Sequence, residues 1–515
     1  MDKDILWTSG FFNERFPAPI SPLGWSLIGP LIEELALRDP LRFLGYPAAD
    51  KIPLTRLWRG HPYANMLAFH IFFKCFPDFI LPEDAYRYFP NGDVGLRQRA
   101  PYPRRIDAPR FVFSLLRAFF SDPFNVSPLN NYRHWARYTR EHDRRIAAVC
   151  ARLNELASAD PQTIFAALRE VENIHRNLLR IHRWSLMDAD LTFGVLKRLV
   201  GSIDVACLVA DVPNKTMQVD AALRAITNDK LPMAKFLAEH GHRSFSLDIA
   251  VPTFADEPSQ VTGLLKAMTA DGRPPTANPT VGGLRSVVVR AIAALARHYV
   301  ALREDQRYYW QKSLALSRHL YLLLADRLVA ENVIADRNLV FYATHEELGD
   351  YFQQRLPKAE LARSIAVRQS EWQVYQREFE QAPMESYPAF LTPASFAQQA
   401  TQVVTANNRE WRGRAVSPGI ARGVARVVQS HSDLSRIQQG EVLVAPSTDP
   451  AWTPVFARIA GLVVERGGVL SHSAVVAREY HVPAVAGIPG IMDKIRDGDM
   501  IEVDGSRGVV SAIVR

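Results

Sequence analysis

Apolar residues along this chain change their spacing twice. From about 130 to 380 they recur at three- and four-residue steps, in Ile146–Leu156, Ile164–Ile174, Val287–Leu302 and Leu314–Val329. That spacing puts them on one face of a helix. From about 410 onward the period shortens. Val424–Val428, Glu441–Ala445, Gly461–Glu465, Met500–Val503 and Val509–Ile513 read as strands, separated by turns with Gly or Asp. Residues 1–130 are rich in proline and aromatics, with Pro17, Pro19, Pro22, Pro30, Pro40 and Pro47 in close succession. That composition predicts short helices and irregular segments rather than a sheet. Gln381–Asn408 carries Pro383, Pro388 and Pro393 and then several Gln and Asn residues, which predicts a linker or hinge. The expected architecture is α plus α/β. A large, mostly helical domain spans 1–380, subdivided near 130. A linker follows over 381–408, and a small β/α domain over 409–515.

Composition narrows the class. At 515 residues and 48% hydrophobic, the chain can bury more than one core and is not a disordered protein. A net charge of +7 is modest for this length and suits an enzyme that handles anionic phosphates. No basic module with interleaved aromatics or helix-turn-helix signature points to nucleic acid. Cys75, Cys150 and Cys207 are widely spaced and odd in number, so neither a disulfide framework nor a zinc knuckle is expected and a reducing cytoplasm is. The first residues, MDKDILWTSGFFNERF, lack the apolar stretch of a signal peptide. The most apolar early segment, Phe69–Leu81, is broken by Lys74, Pro77 and Asp78 and is too short to span a bilayer, so no membrane partner is expected.

The most informative stretch is Gly461–Gly487, GLVVERGGVLSHSAVVAREYHVPAVAG. It reads as an apolar strand, a loop with Gly467 and Gly468, and a short helix that starts at His472 with Ser471 in the N-cap position. A histidine that carries a phosphoryl group needs an exposed, uncrowded ring, and a helix N-terminus with free backbone N–H groups suits the dianion it carries. A neutral imidazole is a competent nucleophile near pH 7, and a covalent histidine intermediate splits one hard displacement into two easier ones.

With its flanks Ser447-Thr448-Asp449-Pro450-Ala451-Trp452-Thr453-Pro454 and Pro483-Ala484-Val485-Ala486-Gly487, this stretch resembles the phosphohistidine loop of the swivelling domain in the PEP-utilising enzymes. The type it is most similar to is that of rifampicin phosphotransferase and phenylphosphate synthase. The Leu470-Ser471-His472 form fits that type. The segment Pro17 to Trp25 resembles the opening of the acceptor-binding part in the same group. The resemblance implies a dikinase-type phosphotransferase, in which ATP and Mg²⁺ on an ATP-grasp unit charge His472 with release of AMP and phosphate. The carrier domain then swings to a hydroxyl acceptor. It also implies support of the phosphate loop by Gly467, Gly468, Ser471, Ser473, Thr448 and Arg478. No G-x-x-x-x-G-K-[ST] loop is present, and nothing in the chain resembles the ATP-grasp domain. The charging subunit is therefore expected to be a separate polypeptide. With 43 residues after His472, no (β/α)₈ barrel is expected to follow.

Two further segments carry the resemblance. Arg303-Glu304-Asp305-Gln306-Arg307 resembles the family's R-E-D-x-R motif. Arg303 and Arg307, four residues apart, share a helical face and repel unless an anion lies between them. The other reading is an ion-paired surface helix, which Glu304 supports. Gly241-His242-Arg243-Ser244 with Asp248 and Pro252 resembles a second motif, which makes His242 a general base for the acceptor hydroxyl. The glutamate this motif often carries near Leu247 is absent, and a helix-capping role for His242 and Arg243 stands beside the catalytic one. The aromatic residues Trp7, Phe11, Phe12, Phe16, Trp25, Trp58 and Tyr63 are expected to form an apolar pocket for a phenolic or other bulky apolar acceptor. The arginines Arg97, Arg99, Arg104, Arg105 and Arg110 read as a solvated face. The rival functions are a phospho-activating condensing enzyme of the same family and a non-catalytic phosphocarrier.

Overall fold

The computed structural model describes residues 6–74 (save 14), 109, 112–113, 116, 128–200, 208, 212–267, 285–381, 387–392 and 410–513 (save 430, 469–470 and 489). The arginines between 97 and 110, Cys75, Cys207, Leu470 and most of the expected linker lie outside these residues.

The expected helical region is present, in longer pieces than its apolar stripes suggest. A first helix, α1 (Pro22–Leu31), is capped by Ser21, whose Oγ accepts from the Gly24 N–H. Further along run α2 (Pro128–Cys150) and α3 (Pro161–Val200). A short α4 (Lys215–Thr227) is capped by Asn214. Then comes α5, which continues without a break from Arg285 to Ala330. At 1.5 Å per residue α5 is about 69 Å long. The stripes at 287–302 and 314–329 are two parts of this one helix, and the R-E-D-Q-R segment forms its middle. α6 (Lys358–Gln381) ends the helical region.

The expectation of no sheet in the first 130 residues is wrong. Strands β1 (Trp7–Thr8), β2 (Thr55–Trp58) and β3 (His61–Asn65) join β4 (Phe390–Leu391) in the order β2-β3-β1-β4. Arg59 and Gly60, both at positive φ, turn the β2–β3 hairpin. Pro62 is tolerated because β1 pairs only with Ala64 and Asn65, so no ladder bond on that side is lost at Pro62. β4 lies within the expected linker, so residues 390–391 of it are fixed to the N-terminal sheet.

The C-terminal domain has all five expected strands and three more. They are β5 (Glu410–Arg412), β6 (Arg414–Ser417), β7 (Ile420–Val427), β8 (Val442–Ala445), β9 (Gly461–Val464), β10 (Ala484–Ala486), β11 (Met500–Asp504) and β12 (Val509–Ala512). Their order is β5-β12-β11-β7-β8-β9-β10-β6. The inner pairs β7–β8, β8–β9 and β9–β10 are parallel. Parallel strands buried on both faces read as unbroken apolar runs, and VLVA and GLVV are such runs, buried throughout. One face carries Val442, Val444 and Val463 into a core within the domain. The other carries Leu443, Leu462, Trp452 and Phe456 into the core that continues through the helical region. The small domain therefore docks on the helices through shared apolar packing.

Candidate active site

The loop after β9 delivers His472 as expected. A short helix, α7, runs His472–Glu479 with Ser471 as its N-cap. Ser471 Oγ accepts from the Ala474 N–H (3.3 Å), donates to the Gly468 carbonyl (2.8 Å) and lies 2.9 Å from Ser473 Oγ. Gly467 adopts φ +140°, and a Cβ there would come within 3.0 Å of Ser471 Oγ, so glycine suits this turn on two counts. These contacts give Gly467, Gly468, Ser471 and Ser473 a role in shaping the loop. Arg478 bonds a neighbouring strand. It donates to the Val416 carbonyl at 2.9 Å and so fastens α7 to β6.

What the ring faces was not expected. His472 Nδ1 lies 3.0 Å from Glu304 Oε2 on the middle of α5, and both side chains are about nine-tenths buried. Glu304, read from sequence as support for a surface ion pair, is the residue that receives the carrier. Burial drives its carboxyl upward, but His472 and the guanidinium groups of Arg303 and Arg307 outweigh that, and the net shift is downward. Glu304 is therefore a buried carboxylate held ionised by its surroundings. His472 Nε2 is buried with no hydrogen-bond partner, as is Thr448 Oγ1.

Arg307 lies 3.8 Å from Asp449 Oδ2 and donates to the Phe245 carbonyl at 3.5 Å. It therefore joins α5 to the carrier segment that holds Thr448 and Asp449. Arg303 acts on Glu304 through its charge. Arg243, for which the sequence offered only a helix-capping role, is 4% exposed, and its Nη1 has no described hydrogen-bond partner. Burial and the neighbouring Arg307 lower its pKa to about 10, while Asp449, Tyr308 and Glu304 oppose them. Three guanidinium groups, Arg243, Arg303 and Arg307, thus gather with two carboxylates, Glu304 and Asp449, where α5 meets the carrier. Such a surplus of positive charge suits a phosphoryl dianion.

His242 is placed differently from a general base open to an acceptor. Its ring meets the Tyr308 ring edge-on at 4.5 Å, its Nε2 is buried without a partner, and burial beside Arg243 drives its pKa well down. Asp248 accepts from Ser21 N and Oγ, both at 2.6 Å, and so ties the Pro17–Trp25 segment to the second motif.

A cleft of about 640 Å³ opens beside Asp449, between the two domains. Phe245, Ser246 and Asp248 line it from the second motif, whereas His242 is not among its described lining residues. Of the early aromatics only Phe16 lines it. Trp7, Phe11, Phe12 and Tyr63 are core residues, each 3% exposed or less. The aromatics that line the cleft besides Phe16 and Phe245 are Trp372, Phe379 and Trp452. They come from α6 and the carrier, which apolar spacing in the first region could not indicate.

Among the described residues no group of three or more His, Cys, Asp and Glu side chains is placed to hold a metal ion. No described helix is long and apolar enough to cross a membrane.

Known proteins are similar to this chain in sequence. Residues 437–508 match the family "PEP-utilising enzyme, mobile domain". The rifampicin phosphotransferase of Bacillus subtilis (strain 168) is 30% identical over 223 residues, 42% of this chain and 24% of that protein. A probable phosphoenolpyruvate synthase of Staphylothermus marinus is 44% identical over 101 residues, 19% of this chain and 12% of that protein. The chondramide synthase cmdD of Chondromyces crocatus is 31% identical over 339 residues, 58% of this chain and 9% of that protein. The chain thus spans a quarter or less of the length of these relatives. From His472 and its loop to the family match around them, residues 437–508 of this chain are similar to the mobile domain of the PEP-utilising enzymes.

Proposed function

We propose that this chain is the acceptor-binding and carrier part of a phosphotransferase. A separate ATP-grasp unit, with ATP and Mg²⁺, phosphorylates His472, and the carrier then delivers the group to a hydroxyl of a bulky apolar acceptor in the cleft. The observation that carries this reading is the His472–Glu304 contact of 3.0 Å inside a cluster of arginines. It seats the carrier ring against the helical domain, beside the cleft.

The geometry suggests a division of roles. Glu304 accepts from Nδ1–H, which fixes the tautomer and leaves the Nε2 lone pair to bear the phosphoryl group. In transfer, the acceptor oxygen attacks phosphorus, the P–Nε2 bond breaks and its electron pair returns to Nε2. The hydroxyl proton passes to a base, for which Asp449 is the best placed carboxylate, since it lines the cleft and faces Arg307. Arg243, Arg303 and Arg307 hold the equatorial oxygens as charge redistributes.

The test uses the chain with an ATP-grasp partner and ATP labelled in the β-phosphate. Acid-labile, alkali-stable label that disappears in His472→Ala supports the reading, and full labelling of that variant overturns it. The similarity to a chondramide synthase over 58% of the chain favours a second reading, phospho-activation for condensation. The mass of the product separates the two.

A further inference from the structure

We infer that the cleft selects an acceptor that carries an organic cation, a protonated amine or quaternary ammonium on an apolar body. The inference rests on the acceptor-cleft reading and adds the charge class of the ligand. At about 640 Å³ the cleft has the size of a site for a small organic molecule. Its walls bring together Phe16, Phe245, Trp372, Phe379 and Trp452. Its charged residues are Asp248, Glu380, Asp433 and Asp449, with no lysine or arginine among the described lining residues. Aromatic faces interspersed with carboxylates are the surroundings in which organic cations are bound, by cation–π attraction and by charge.

The four carboxylates are not equivalent. Asp248 is occupied by Ser21 and by the Ala250 N–H, and Asp449 faces Arg307. Glu380, exposed on α6, accepts only a Gln376 side-chain amide among its described hydrogen bonds. Asp433 lies 3.7 Å from Arg436, which has a closer partner in Asp497 at 2.9 Å. The negative potential of the cleft therefore lies toward Glu380 and Asp433, away from the arginines at His472. An acceptor with a hydroxyl at one end and a cation at the other is complementary to both ends. Trp372 also lines the cleft from α6 and offers an aromatic surface to the body of a ligand.

Three probes of one shape test this on the full chain by calorimetry: 2-naphthylmethylammonium, 2-naphthol and 2-naphthoate. The cation is expected to bind about ten-fold more tightly than the neutral probe, with the anion weakest, as one partly desolvated charge pair gives. Glu380→Gln with Asp433→Asn should remove most of that preference, and Trp372→Leu should weaken all three probes. Three results would overturn the inference. They are binding of the anion as tight as the cation, a preference that survives the double variant, and binding indifferent to Trp372→Leu. Absence of binding by every probe also counts against it. His472 labelling on the same preparation keeps the two readings apart. Label without charge preference sinks only this inference, and preference without label sinks only the transfer reading.

Discussion

The two surfaces that meet at His472 differ in kind. The carrier side is built from backbone and small side chains: Gly467, Gly468, the Ser471 cap and the N-terminus of α7. Apart from the imidazole it brings one charge to the contact, Asp449. The helical side is built from long ionised side chains, Glu304, Arg303 and Arg307 on α5 and Arg243 from the second motif, fixed on packed helices. A carrier that must fit a charging site and a discharging site gains from being plain, since every charge it bore would have to be matched twice. On the proposed reading the helical side serves one reaction only, and its charges can be placed for that reaction. Specificity and rate are therefore expected to reside in the helices, and competence to carry in the loop.

Substitutions can break that division. The largest effect belongs to the carrier: His472→Ala should abolish labelling entirely, with the fold intact by circular dichroism. Next come Arg303→Ala and Glu304→Gln on the helical side. Each should leave labelling of His472 unchanged and slow discharge to the acceptor about 10²- to 10³-fold, the usual loss for one preorganised electrostatic contact. Single-turnover decay of the label measures this, and a normal decay rate would return Arg303 to a structural role. If either variant lowers labelling as much as discharge, the two surfaces are not divided as described.

A smaller effect concerns Glu465, which precedes the loop. Burial drives its carboxyl up to about 7, with Arg466 opposing. Between 4.5 and about 7 the folded chain holds a proton there that the unfolded chain releases. Stability should therefore fall as pH rises through that window and level off above it. Glu465→Gln should flatten that slope and gain about 2 kcal/mol at pH 8, read by denaturant titration. An unchanged slope would show the group to be ionised throughout. The smallest effect is expected at the rim of the contact. Tyr480 OH donates to Asp220 Oδ2 at 2.8 Å and accepts from Arg224 at 3.2 Å, across the domain boundary. Tyr480→Phe should weaken docking by about 1 kcal/mol, a several-fold slower discharge at equal labelling.

How much of this could be read in the sequence follows from the same contrast. The carrier loop is contiguous, so strand, glycines, cap and histidine appear in reading order. The helical side is assembled from positions about 60 residues apart, and Arg243 and Glu304 meet only in the fold. In Arg303-Glu304-Asp305-Gln306-Arg307 the acid also fits a surface ion pair, because mixed charges on a helix usually mean solvent. The contrary signal lay in its flanks. Leu302, Tyr308, Tyr309 and Trp310 cover more than one side of the helix, and all four are buried. A helix that is apolar around its circumference is enclosed, and its charges then need partners. The N-terminal sheet was hidden because prolines were read as breakers without regard to which strand edges are paired. The cleft was misplaced because its aromatic residues come from three distant segments.

One contact outside the site bounds the reach of the carrier. Arg466, in the phosphohistidine loop, lies over the Tyr387 ring at 4.9 Å and donates to the Tyr387 carbonyl at 3.0 Å, while Tyr387 stacks on His61 at 3.9 Å. Together with β4, this moors the expected linker to the N-terminal sheet as far as Thr392, and the carrier begins at Glu410. Residues 393–409 separate the two in sequence. A chain of that length can extend at most about 60 Å. On the proposed reading, a charging unit would present its nucleotide within a sphere of that radius, enlarged by the carrier's own span from Glu410 to His472, centred on the edge of the N-terminal sheet. Within such a sphere a tethered histidine meets its targets at millimolar effective concentration, so the docked contacts need only be weak enough to release between visits.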